Sequence, residues 1–313
     1  MSQPTELWTD FFRTLGFNQA EVIGRGMEGE VFRLTAGLVG KVWHSRQVGE
    51  LRPLRDLYAE LAGQRLPFAT PEIVDNTEHA GRQVTIERYL PGESLRSKLD
   101  SGQLSKAAAL EATVNVVAAL QRTTAGAAAR SLPVLSEGRP LWAGHDTWSA
   151  ALACLVQRRA DRFAGVLRAS VTDFDRKLAA TVDLLNALPA TEPQLVHGDI
   201  CPENILASDS GEPTALLDWG FVSTAGDNAF EAAAAAGFFD MYGPEARDDD
   251  DTLMKVFADR LGHAVETQLL YRAAYAIAGA NSYAADGADG HFRWCAAALD
   301  RADVTELLLT SSR

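Results

Sequence analysis

Short apolar runs separated by glycine fill the first ninety residues. Residues 22–23, 31–34 and 38–43 are rich in β-branched and aromatic side chains and are divided by Gly-rich turns, which predicts three short strands. Leu51, Leu54, Leu57, Tyr58 and Leu61 then recur at helical spacing, predicting a helix over 48–65 that Pro67 and Pro71 terminate. Residues 83–89 form another strand-like run, broken by Pro91-Gly92. From Ser105 the period lengthens, with Leu110, Val114, Val117 and Leu120 on one stripe, and most of the chain beyond is helical and alanine-rich. Strand-like exceptions lie at 195–196, 205–207 and 215–218, while 126–150 reads as an irregular insertion carrying Trp142, His145, Asp146 and Trp148. No repeat of 20–50 residues is present. The layout is α+β, with a small strand-rich part over 1–90 and a large helical part over 91–313.

Composition narrows the classes. The chain has 313 residues and a formal charge of −13, which disfavours nucleic acid and anionic membrane as partners. Its most apolar stretch, 269–280, carries Arg272 and falls short of the roughly 18 residues a spanning helix needs. The first residues show no basic segment leading into an apolar core, so a cytoplasmic location is expected. Cys154, Cys201 and Cys295 are too scattered for a disulfide framework or a paired zinc site.

Three stretches carry candidate chemistry. Gly24, Gly26, Gly29 and Val31 form a GxGxxGxV string. The residues after it alternate and then turn, so a hairpin is expected rather than the helix a dinucleotide site requires. Glycines in such a hairpin let backbone lie close over phosphates without Cβ clashes. Lys41 sits on the next strand, where burial is costly unless it meets an anion. Glu50, Asp56 and Glu60 on the following helix are candidate partners, with Glu60 preferred. The third stretch is HGDICPENIL, residues 197–206. A metal reading of His197, Asp199 and Cys201 lacks a second His/Cys pair, and Cys201 precedes a proline with no cation to activate it. A loop that aims Asp199 and Asn204 remains, and Asp218-Trp219-Gly220 comes after a tight turn.

HGDxxxxN resembles the catalytic loop of aminoglycoside phosphotransferases, choline kinases and related small-molecule kinases, with Asp218-Trp219-Gly220 in place of the protein kinases' Asp-Phe-Gly. The glycine string, Lys41, the hinge-like run 86–92, the loop and the Asp-Trp-Gly occur in kinase order, and residues 226–231 are similar to the family's GDPxxD with Glu231 at the last position. The resemblance implies a bilobal, protein-kinase-like fold with a hinge at 87–90 that includes Glu87 and Tyr89. It implies ATP, or GTP, under Gly24, Gly26 and Gly29 and held by Lys41. Asn204 and Asp218 would bind Mg²⁺, Asp199 would act as base, and His197 would be structural. Gly198, and the lack of an Ala-Pro-Glu segment after Asp218, favour a small-molecule acceptor over a protein. The implied activity is O-phosphorylation of a small molecule, such as an aminoglycoside or another antibiotic. A sugar or amino-alcohol metabolite is the alternative; a protein kinase or a silent nucleotide-binding module is a further one. Asp240, Tyr283 and Asp286 are candidate acceptor contacts, and the enzyme would be a monomer or dimer.

Overall fold

In the computed structural model, which describes residues 5–26, 28–44, 46 and 48–310 without the side chains of Val48 and Glu50, the early alternation becomes an antiparallel sheet. Its strands are β1 (Glu21–Arg25), β2 (Gly29–Arg33), β3 (Leu38–Trp43), β4 (Ile73–His79) and β5 (Arg82–Arg88), in the order β1-β2-β3-β5-β4. One face carries Phe32, Leu34, Val42 and Val84, packed beneath helix α1 (Thr5–Thr14) through Trp8, Phe11 and Phe12. The approach is close: a Cβ on Gly40 would lie 2.4 Å from the Phe12 ring, so only glycine fits there. The opposite face presents Val31, Lys41 and Thr85 side by side, because these residues pair across the ladder and share one side of the pleat.

Neither α1 nor β4 is evident in the apolar pattern. β4 is an edge strand exposed at Val74, Asp75 and Asn76, so it lacks the apolar repeat that marks half-buried strands. Ala80 and Gly81, both at positive φ, close its hairpin with β5. Helix α2 (Val48–Ala62) ends three residues before the predicted boundary. Its Leu51, Leu54, Leu57 and Leu61 join the apolar cluster of the helical part rather than the one under α1.

The rest comprises β6 (Glu93–Ser94), α3 (Leu95–Asp100), α4 (Lys106–Gln121), α5 (Ala127–Ser131), α6 (Trp148–Ser170), α7 (Phe174–Ala187), β7 (Gln194–Val196), β8 (Ile205–Ala207), β9 (Pro213–Leu216), β10 (Thr224–Gly226), α8 (Asn228–Phe238), α9 (Ala246–Leu261), α10 (Val265–Gly279), α11 (Gly290–Leu299) and α12 (Ala302–Thr310). Every residue of α8 is buried, and its alanines let α4, α9 and α10 approach closely. Arg272 on α10 is also buried, paired with Asp250 at 2.8 Å, which accounts for the charge within the apolar run. No helix among the described residues is long and apolar enough to cross a membrane. The insertion over 126–150 holds α5 and the start of α6, and its tryptophans serve packing. Trp142 donates to the Ala225 carbonyl, and Trp148 meets Phe230 edge-on. The architecture is thus an antiparallel sheet region followed by a mostly helical region, as in bilobal kinases.

Replacing Phe12 by alanine removes the ring that seats α1 on Gly40 and is expected to cost about 3–5 kcal/mol. Urea denaturation followed by circular dichroism checks this; a loss below about 1 kcal/mol would mean that α1 does not close the sheet.

Candidate active site

The wall on the sheet side is built from the glycine hairpin and β3. A Cβ on Gly29 would come within 2.2 Å of the Val42 carbonyl, whereas Gly26 faces open space. Gly29 is thus required by the hairpin itself, and Gly26 leaves the loop's backbone uncovered, while Gly24 lies in the ladder opposite Val31. Lys41 extends from β3 across the Trp43 ring, its Nζ 3.9 Å from the centroid. There it meets Glu28 Oε2 at 3.0 Å and Asp218 Oδ1 at 3.3 Å. Burial disfavours the ammonium form, yet Asp218, Glu28 and Glu87 around it raise its pKa.

The preferred helix partner for Lys41 is corrected. Glu60 accepts from the backbone N–H of Gly126 at 2.7 Å and of Ala128 at 3.0 Å, capping the N-terminus of α5. Gly126 offers no side chain of its own for this, so the orphan donors draw Glu60 away from Lys41. Asp56 is exposed, and the Glu50 side chain lies outside the described residues.

Glu87 points to the same side as Lys41 but is engaged internally. Trp43 Nε1 donates to Thr85 Oγ1, whose hydroxyl in turn donates to Glu87 Oε1 at 2.5 Å. Burial raises the Glu87 pKa, with Lys41 opposing. Tyr89 carries the Arg33 guanidinium 3.6 Å above its ring. In the connector 88–90, the N–H groups of Arg88 and Tyr89 are taken by Glu72 and Gly37 carbonyls. Leu90 N–H has no partner among the described residues.

The loop opposite is anchored from below. Glu231, fully buried in the first turn of α8, accepts from the backbone N–H of His197 and, at 3.1 Å, of Gly198. Burial pushes its pKa up to about 8 against those two bonds. His197 is buried under the loop, its Nε2 2.7 Å from the Leu217 carbonyl and its Nδ1 accepting from Asp199 N–H at 3.2 Å. Burial lowers its pKa to about 4, so the ring is neutral and structural. Burial also drives the Cys201 thiol far up, away from nucleophilic use.

Asn204 Nδ2 donates to the Asp199 carbonyl at 2.9 Å and to its Oδ2 at 3.2 Å. Burial first, then the charge of Asp218, raises the Asp199 pKa to about 7, while the Asn204 bond opposes. Asp218 does not continue β9 as the sequence pattern indicates. The strand ends at Leu216, and Asp218 takes φ 55°, which turns its half-exposed carboxylate toward Lys41. Leu217 N–H donates to the Asn204 carbonyl at 2.8 Å, which ties the two loops together.

The three candidate acceptor contacts lie in different surroundings. Tyr283 is 46% exposed and lies flat on Phe221 at 5.8 Å. Burial raises its pKa strongly and the charge of Asp199 adds to the shift. Asp240 instead folds over Gly243 beside a surface cavity that includes Arg96 and Lys106. Asp286 accepts from Ala288 N–H and shapes a turn. Glu28 and Arg46 were not singled out by sequence pattern, since a glutamate inside a glycine string and an arginine in a loop carry no periodic signal.

Residues 19–273 match the phosphotransferase enzyme family (APH). No curated protein matches the chain. Among solved structures, it is similar to the gentamicin complex of APH(2")-IIa, with TM-score 0.61 and 14% identity over 98% of this chain and 99% of that one. It is also similar to wild-type aminoglycoside 2'-phosphotransferase-IIIa bound to GDP, with TM-score 0.58 and 15% identity over 98% of each chain. A third is the macrolide 2'-phosphotransferase MphH from Brachybacterium faecium, with TM-score 0.60 and 19% identity over 94% of this chain and 97% of that one. These likenesses establish a shared fold. With the family match covering most of its length, the chain belongs to the phosphotransferase enzyme family.

Proposed function

We propose that this protein transfers the γ-phosphoryl group of ATP or GTP to a hydroxyl of a small molecule. The observation that carries the reading is the convergence of Lys41 from β3, Asp199 and Asn204 from one loop, and Asp218 from the turn after β9, three segments distant in the chain. The nucleotide would lie between the sheet and the helical region, with the chain passing through a hinge at 87–90. Leu90 N–H is a candidate donor for the base, and Gly26 leaves backbone open where the phosphates would lie. Solved relatives of the same fold were captured with GDP or ADP.

The residues suit magnesium. Asn204 commits its amide nitrogen to Asp199 and keeps its oxygen, and Asp218 offers a half-exposed carboxylate. Magnesium takes oxygen donors and is commonly held by one or two side chains plus phosphates. When bound, it would neutralise charge on the phosphates. Asp199 supplies the acceptor for the substrate's hydroxyl proton, and a pKa near 7 suits a base working at neutral pH. Lys41 holds phosphate oxygens, and the remaining contribution is positioning.

A small acceptor is favoured because Asp227, the N-cap of the buried helix α8, comes only seven residues after Gly220. Little chain remains between them for a peptide-binding activation segment. Tyr283 on Phe221 would form one wall for the acceptor, which suits an aminoglycoside, another antibiotic or a sugar-like metabolite.

Asp199→Asn is expected to lower turnover by about 10²–10⁴ with nucleotide affinity retained, read by coupled ADP release against antibiotics, sugars and amino alcohols. Unchanged turnover would remove Asp199 from the role of base. Asp218→Ala is expected to abolish magnesium-dependent tightening of nucleotide binding in calorimetry, and an intact magnesium effect would refute its assignment as a ligand.

A further inference from the structure

The carboxylate of Glu28 lies between two cations at the mouth of the cleft. Its Oε2 is 3.0 Å from Lys41 Nζ and its Oε1 is 2.8 Å from Arg46 Nη2. Both cations lie against the Trp43 ring, Lys41 Nζ at 3.9 Å and the Arg46 guanidinium carbon at 4.9 Å from its centroid. Arg46 also reaches the loop after Asp218. A Cβ on Gly220 would fall 2.8 Å from Arg46 Nη2, so that glycine admits the guanidinium against the backbone. The pair therefore bridges the glycine hairpin, β3 and the Asp218 loop, and a planar two-oxygen anion already occupies it. Guanidinium and ammonium groups recognise phosphate and carboxylate oxygens with the same charge-assisted geometry.

We propose that Arg46 is a second phosphate-binding cation, and that Glu28 is a built-in carboxylate holding the Lys41–Arg46 pair in place until a nucleotide phosphate displaces it. This rests on the phosphotransferase reading above. Electrostatics requires the exchange. Lys41 already faces Glu28, Asp218 and Glu87, so adding phosphate while Glu28 stays would crowd like charges around one ammonium group. Glu28 can leave because it is carried between Gly26 and Gly29 and its side chain is 36% exposed. Of the two α2 carboxylates with described side chains, Asp56 is exposed and Glu60 is tied to the N-terminus of α5.

The test is isothermal titration of the full chain with Mg-ATP and Mg-GTP, and with adenosine and guanosine as matched probes lacking phosphate. Arg46→Ala is expected to weaken the preferred nucleotide by about ten- to a hundredfold and leave its nucleoside within about twofold, with Arg46→Lys intermediate. Glu28→Gln keeps shape but removes the competing charge, and is expected to tighten the nucleotide by about three- to tenfold without changing the nucleoside. Thermal melts of each variant establish folding. Unchanged nucleotide affinity in Arg46→Ala, or equal losses for nucleotide and nucleoside, would overturn the role of Arg46. Unchanged or weaker nucleotide binding in Glu28→Gln would show that Glu28 does not stand in for phosphate, and would overturn the displacement. A wild-type chain that binds neither nucleotide would instead overturn the phosphotransferase reading, and the displacement with it.

Discussion

A single buried carboxylate holds the loop 197–204 in shape. Glu231 enters from the first turn of α8 and receives two consecutive backbone N–H groups, those of His197 and Gly198. Buried amides without acceptors are costly, so the loop is committed to the one path that satisfies both. That path puts Gly198 at φ 76°, where a Cβ would also lie 2.6 Å from the Val222 Cβ. Glycine at this position thus has a local cause, independent of what the acceptor is. From there His197 props Leu217, Asn204 bonds Asp199, and Leu217 bonds Asn204, so Asp199 and Asp218 have their separation fixed by backbone.

Charge around the cleft is dominated by carboxylates. Glu28, Glu87 and Asp218 lie around Lys41, Arg46 pairs with Glu28, and Asp199 feels the charges of Asp218 and Glu28. Pairing with the two cations offsets part of the mutual repulsion in this cluster. Asp199 and Glu87 are raised by burial, while Glu28 is lowered despite its burial because Lys41 and Arg46 lie beside it.

Much of this was legible in the chain. The glycine hairpin, β3, β5 and the two short strands around HGDICPENIL emerged from short apolar runs bounded by turn residues, because that signal is local. The helical region emerged from its longer period. α1 and β4 did not, since α1 is a short helix built on bulky aromatics and β4 is an exposed edge. Among candidate residues, Asp199, Asn204 and Asp218 were marked by their spacing, whereas the partner of Lys41 was misassigned. Glu60 and Glu28 look alike in sequence, and only the orphan amides of α5 distinguish them.

By itself the sequence determined what is encoded within a few residues: periodicities, turns, and the chemical types at the reactive loop. The tertiary structure decided which distant groups face one another. It set Glu60 on α5, Glu28 between Lys41 and Arg46, Tyr283 on Phe221, Asp240 over Gly243 and Asp286 in a turn. The physical reason is that ion pairs and capping bonds form wherever packing leaves unsatisfied donors and charges, and packing is a property of the whole fold.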